Sequence, residues 1–159
     1  VSVSAAEDRL ATLGLVVPDV AAPVAAYLPA LREGNLVFTS GQLPMVSGAL
    51  AQTGKVGDGH GLVPADDARE LARLCALNAI AAVKSVIGDL DKVTRVVKVV
   101  GFVASDPSFT GQPGVINGAS ELLALAFGEA GLHARSAVGV AVLPLDSPVE
   151  VEIIVSVRD

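Results

Sequence analysis

His133-Ala134-Arg135-Ser136-Ala137-Val138-Gly139-Val140-Ala141-Val142-Leu143-Pro144, followed by Val149-Glu150-Val151-Glu152-Ile153-Ile154-Val155, reads as two β-strands joined by a turn. Successive side chains of a strand point to opposite faces. Val149, Val151, Ile153 and Val155 therefore share one face of the second strand, and Glu150 and Glu152 lie on the other. In the first strand Val138, Val140 and Val142 share a face, opposite the small Ala137, Gly139 and Ala141. Arg135 stands where that strand begins. One guanidinium and one or two carboxylates, set beside small side chains, predict a polar cleft on an otherwise apolar scaffold.

Working back from this pair, Val93 to Ala104 is a near-continuous apolar run, the pattern of a central strand covered by helices. A helix is predicted from Val115 to Ala130, packing through Leu122, Leu125, Ala126 and Phe127, with Asn117 in its first turn and Gly131 at its end. The longest helix is predicted from Pro64 to about Ile87. Asp66, Asp67 and Glu70 in its first turns suit the helix dipole. Leu71, Leu74, Cys75, Asn78, Ala82 and Val86 trace an apolar stripe at helical spacing. Cys75 falls in that stripe and reads as a buried, inert thiol.

Toward the N-terminus, Val24 to Leu31 reads as a strand interrupted by Pro29 and containing Tyr27. Arg32-Glu33-Gly34-Asn35 is a turn cluster, and Leu36-Val37-Phe38-Thr39 a second strand, so the two make a hairpin. It runs into Ser40-Gly41-Gln42-Leu43-Pro44, where Gly41 lets a backbone or ligand approach closely. Ser4-Ala5-Ala6-Glu7 has the pattern of a capping box. A short helix follows to about Leu13, burying Leu10 and Leu13. Met45 to Leu62 reads as a long loop with one short strand near Ala49–Gln52. His60, in Gly57-Asp58-Gly59-His60-Gly61, reads as a solvated histidine, since no metal-ligand spacing surrounds it. The order hairpin, helix, strand, helix, two strands predicts an α+β fold, with a mixed sheet and two main helices on one face. The 159 residues are read as one domain, residues 1–22 forming a helical extension.

Apolar residues make up 52% of the chain and the mean hydropathy is +0.60. No run of about 18 apolar residues occurs, so no membrane span is expected. The excess is assigned to a core plus a subunit interface, because obligate interfaces resemble a core cut in half. The formal net charge is −6, and no basic stripe suggests a nucleic-acid partner. One cysteine cannot make an internal disulfide, which fits a cytoplasmic location. Val1 opens the chain with no charged segment followed by an apolar stretch, so no secretory signal is expected.

Gly34-Asn35-Leu36-Val37-Phe38-Thr39-Ser40-Gly41-Gln42-Leu43-Pro44 resembles the N-terminal signature of the YjgF/Rid family, the reactive-intermediate deaminases, also called endoribonuclease L-PSP. Ala134-Arg135-Ser136, with Leu143-Pro144 and Val149-Glu150-Val151-Glu152, resembles its C-terminal signature. The resemblance covers the chain from about Tyr27 onward. It implies a chorismate-mutase-like fold, a homotrimer with sheets facing inward, and a small-molecule cleft at each subunit interface. It implies hydrolysis of 2-enamine or 2-imine acids to 2-keto acids and ammonia, without metal or organic cofactor. The family's substrate-binding arginine falls on Arg135 and its water-positioning glutamate on Glu150. The tyrosine and asparagine lining the cleft fall on Tyr27 and Asn117, and the Ser-Gly of its wall on Ser40 and Gly41. Ala137 stands where many deaminases carry Cys, and Gly139 where they carry Glu. With the N-terminal helix and the longer 45–62 loop, these mark a divergent, longer branch.

Two other function classes use the same residues differently. One is a non-catalytic binder of small carboxylic acids through Arg135. The other is an endoribonuclease or translation inhibitor; the acidic balance and 3% aromatic content weigh against it, because RNA surfaces need basic and stacking groups. Without the resemblance, Arg135 and Glu150 would read as a structural ion pair at an interface, and His133 as an exposed neighbour of Arg135.

Overall fold

The described chain is built around one five-stranded sheet in a computed structural model, which describes residues 3–20 and 26–159. The strands are β1 (Ala30–Glu33), β2 (Leu36–Thr39), β5 (Val93–Ala104), β6 (Ala134–Val140) and β7 (Val149–Val157), in the spatial order β1-β2-β7-β5-β6. A separate two-stranded ribbon pairs β3 (Met45–Val46) with β4 (Ala49–Leu50). The helices are α1 (Ala5–Ala11), α2 (Ala65–Ile87) and α3 (Gln112–Phe127). The expected α+β order therefore holds, with α2 and α3 packed on one face of the mixed sheet.

The two C-terminal strands do not pair with each other. β6 lies parallel to β5 and β7 antiparallel to it, so they flank β5 on opposite sides. The parallel β5–α3–β6 unit needs the helix as its crossover. The link from β6 to β7 passes through Leu145 and Asp146, both at φ 58°, a left-handed conformation uncommon outside glycine. β7 consequently sits in the middle of the sheet and β6 at its edge.

The helix-facing side of the sheet presents Val37, Val96, Val99, Val103, Val149, Val151, Ile153 and Val155, all buried against α2 and α3. Each fully buried aliphatic side chain of this kind contributes about 1.5–3 kcal/mol relative to exposure. Two glycines set the helix positions. A Cβ on Gly101 would sit 2.5 Å from Ile116 Cδ1, so α3 rests directly on β5. A Cβ on Gly118 would sit 2.0 Å from the Arg69 carbonyl oxygen, so α2 and α3 meet nearly backbone to backbone.

The apolar run in β5 is an interior strand, as expected, with its helix cover on one face. Register shifts between Val93/Arg95 and Val96/Lys98 displace the alternation, as bulges do, leaving Val97 exposed while Val96 and Val99 are buried. Among the described residues nothing covers the other sheet face: Leu31 is 47%, Phe38 37% and Val138 43% exposed on it. Contiguous exposed apolar surface of this sort marks an interaction face.

Smaller differences have local causes. The capping box forms between Ser4 and Glu7, and Lys84 pairs with Glu7 from α2. α1 ends two residues early and Leu13 is exposed, because the chain turns at Gly14 with φ +71°. β1 begins at Ala30, and a two-residue Gly34-Asn35 turn closes the hairpin. Val24 and Ala25 of the predicted strand lie outside the described residues. α3 starts three residues before the expected Val115, with Gly111 as N-cap and Pro113 in its first turn, where proline costs nothing. Asn117 is therefore in the second turn, too far along to cap the helix. The 45–62 segment holds the β3–β4 ribbon, and His60 is exposed within it. No described helix is long and apolar enough to cross a membrane.

Candidate functional site

Arg135 pairs in register with Val99 on β5, and Val99 pairs with Ile153 on β7; all three point to the helix-facing side. Ala137 and Gly139 follow on the same face. The Arg135 side chain reaches α3, where Nη1 donates to Ser120 Oγ at 3.1 Å and Nη2 to the Pro113 carbonyl at 3.0 Å. Pro113, Asn117 and Ser120 stand at i, i+4 and i+7 of one helix, hence on one stripe. The guanidinium thus bridges both ends of a stripe whose middle position is Asn117. Among the described residues, partners take two of the five guanidinium N–H groups, and three remain to meet a ligand. Ser120 Oγ also lies 2.9 Å from His133 Nε2, and His133 Nδ1 lies 2.6 Å from the Gly131 carbonyl. His133 is therefore a partner of Ser120, not a free surface side chain.

Glu150 belongs to a second group. It pairs with Phe102 on the uncovered face of the sheet. The segment after β2 continues alongside β7: Gln42 and Val151 exchange backbone hydrogen bonds of 2.8 and 3.0 Å. This brings Gly41 against the Glu150 carboxylate, so close that a Cβ would fall 2.0 Å from Oε1. Ser40 fastens the preceding strand entry, its hydroxyl donating to the Leu28 carbonyl at 2.5 Å and its N–H to the Pro29 carbonyl at 2.8 Å. Tyr27, 45% exposed, adjoins that anchored pair. Burial, and then the neighbouring Glu152, raise the Glu150 carboxyl above the ordinary carboxylate range. From the helix side Cys75 donates its thiol to the Val149 carbonyl at 3.9 Å. Burial, with the Glu150 charge adding to it, pushes that thiol well above its usual value. Cys75 is the inert core thiol its helical position predicts.

The candidate residues thus fall in two places: Arg135 on the α3 stripe that includes Asn117, and Glu150 against Gly41, with Ser40 next in the chain and Tyr27 beside the Leu28–Ser40 contact. Within one protomer the groups do not share a cleft. From Arg135 to Glu150 the path crosses two strand spacings and three residues, about 14 Å between Cα atoms, and the side chains leave opposite faces. The single polar cleft expected from the strand pair is corrected accordingly. Its premise was two adjacent strands, whereas β5 lies between them and the register puts position 135 and position 150 on different faces. Ser120, His133 and the Pro113 carbonyl were not read from the sequence as partners of Arg135. The i, i+4, i+7 spacing of Pro113, Asn117 and Ser120 was the available signal. Among the described residues no cluster of His, Cys, Asp and Glu is placed to hold a metal ion.

A family profile described as "YjgF/chorismate_mutase-like, putative endoribonuclease" matches residues 7–157. The chain is 42% identical over 152 residues to protein TCP17 of Trypanosoma cruzi, covering 95% of this chain and 93% of that protein. The crystal structure of Atu1372 from Agrobacterium tumefaciens superposes with a TM-score of 0.89 at 48% identity, covering 97% of this chain and 93% of that one. The structure of E. coli TdcF with bound serine superposes with a TM-score of 0.60 at 27% identity, covering 88% and 94%. The signatures around Gly41 and Arg135, the sheet order and these matches lead to one statement of kinship: this chain belongs to the YjgF/chorismate-mutase-like family.

Proposed function

We propose that this protein hydrolyses reactive 2-enamine and 2-imine acids to 2-keto acids and ammonia, in clefts shared between protomers of a homotrimer. The observation that carries the reading is the division of the candidate residues. A guanidinium with three free donors sits on one face of the sheet, and a carboxylate of raised pKa, walled by Gly41, sits on the other. A cleft formed where one protomer's Arg135 group meets the next protomer's Glu150 group unites them. The uncovered apolar face around Leu31, Phe38 and Val138 supplies the surface on which such an assembly closes.

In this cleft Arg135 grips the substrate carboxylate through paired hydrogen bonds, which a lysine cannot reproduce. Glu150, ionised, accepts a proton from water as the oxygen adds to C2 of the imine. Glu150 passes that proton to the imine nitrogen, which completes the neutral 2-amino-2-hydroxy acid. The carboxylate then takes the C2 hydroxyl proton and delivers it to the nitrogen as the C–N bond breaks, so ammonia leaves and C2 becomes the ketone. The net change is imine plus water to keto acid plus ammonia. Positioning and a proton relay through one carboxylate suffice, because imine hydrolysis is intrinsically easy. The serine in TdcF supports a ligand bearing an amino-acid carboxylate. The net charge of −6 disfavours RNA cleavage as the principal activity.

The test generates 2-iminopropionate or 2-iminobutyrate in situ and follows keto-acid release. Wild type accelerates release, and Arg135→Ala and Glu150→Gln lose that acceleration. Equal rates for wild type and Arg135→Ala would remove the catalytic reading. Carboxylate binding without turnover in wild type, lost in Arg135→Ala, would leave the non-catalytic binder.

A further inference from the structure

We infer that Ser120 and His133 are positioning residues that hold the Arg135 guanidinium in its ligand-gripping orientation, through a hydrogen-bond chain of fixed direction. The inference rests on the carboxylate-binding role proposed above for Arg135. Its direction follows from chemistry at the far end. The Gly131 carbonyl can only accept, so His133 Nδ1, 2.6 Å away, carries the proton. In the neutral ring Nε2 is then an acceptor, and Ser120 donates its hydroxyl proton to it across 2.9 Å. The Ser120 oxygen, its proton so directed, turns a lone pair to Arg135 Nη1 at 3.1 Å. The Pro113 carbonyl fixes Nη2 at 3.0 Å. Both terminal nitrogens are held from the helix side.

The fold builds this chain deliberately close to α3. A Cβ on Gly131 would lie 2.3 Å from the Leu123 carbonyl oxygen, so only glycine lets the loop before β6 rest on the helix backbone. Ser120 lies one turn before Leu123 on the helix, beside that contact. Arg95 on β5 clamps the same loop, donating from Nη1 to the Leu132 carbonyl at 2.9 Å. His133 is thereby delivered to Ser120 by two contacts that involve neither Arg135 nor any ligand.

Two measurements test this on the intact protein. Long-range ¹H–¹⁵N spectra report the His133 tautomer without any ligand. The Nδ1–H form is expected, with its Nε2 resonance shifted in Ser120→Ala; a neutral ring protonated on Nε2 would overturn the inference. Pyruvate, a stable 2-keto acid, is then titrated by NMR. Ser120→Ala raises its Kd on the order of tenfold, Ser120→Thr restores it, and His133→Gln, which keeps an acceptor near the Nε2 position, is milder than His133→Phe. In turnover the change falls on KM and leaves kcat in place. Wild-type pyruvate affinity in Ser120→Ala, with unfolding midpoints unchanged, would also overturn it. If instead Arg135→Ala binds pyruvate like wild type, the carboxylate-binding reading fails, and the tautomer alone decides whether the chain has this direction.

Discussion

Gly41→Ala is the substitution that separates the Glu150 carboxylate from everything else in the fold. The new Cβ would lie 2.0 Å from Glu150 Oε1 and 2.8 Å from Cδ. Non-bonded carbon and oxygen settle near 3.5 Å, so the carboxylate must retreat by about 1.5 Å. It is the far end of a flexible side chain, and a rotamer adjustment absorbs the move at about 1 kcal/mol. The backbone pairing of Gln42 with Val151 is untouched. Chemistry is less forgiving, since a misplacement of about 1 Å can lower a rate about 10²-fold. The variant is therefore expected to lose about 10²-fold in kcat/KM for 2-iminopropionate while its urea midpoint moves by about 0.5 M or less. Keto-acid release and equilibrium unfolding are measured on the same preparation. Activity within threefold of wild type, at unchanged stability, would refute the placement of Glu150 in the reacting cleft.

Three further outcomes are expected. Because folding raises the Glu150 pKa, it favours the protonated carboxyl; stability is greatest below the ordinary value near 4.5 and declines as pH rises through the raised folded value. Glu150→Gln flattens that decline in a series of urea midpoints against pH, and the activity limb rising over the same window disappears. Gly118→Ala shows the opposite split from Gly41→Ala: its Cβ meets the Arg69 carbonyl of α2 at 2.0 Å, so unfolding free energy falls by about 1–3 kcal/mol or more; an unchanged midpoint would count against the helix contact. Cys75, buried and with its thiol pushed up, resists iodoacetamide in the native protein and is alkylated once urea unfolds it, as mass spectrometry would record.

Where the chain's local chemistry is unambiguous, the sequence could be read closely. The Ser4–Glu7 capping box, the α2 span and the Cys75 environment follow from spacing alone. What escaped was set by pairing across distance. Nothing between Val140 and Val149 announces that β5 will lie between β6 and β7, which separates Arg135 from Glu150 by two strand spacings, while the register puts them on different faces. The bulges in β5 are equally silent, since an apolar run broken by register shifts resembles one buried on both sides. The start of α3 lies earlier than the apolar spacing from Val115 shows, because Gln112, Pro113 and Gly114 carry no apolar periodicity although proline suits a first helical turn. The Ser120–His133 contact depends on Gly131 lying against a helix backbone, an approach visible only once strand and crossover are assembled. The residue types of the candidate site were thus legible, and their grouping was not.

The central place of β7 has a consequence for biosynthesis. Until residues 149–157 have been made, the β1–β2 hairpin and the β5–α3–β6 unit have no strand to join them, and each exposes an unpaired edge. The hairpin, complete at Thr39, waits without its partner for most of synthesis, and the valine-rich β5 joins it as a second unpaired edge before β7 is made. A message broken just before Val149 would yield not a weakened protein but two sticky fragments on one thread, the kind of product that chaperones and proteases exist to remove.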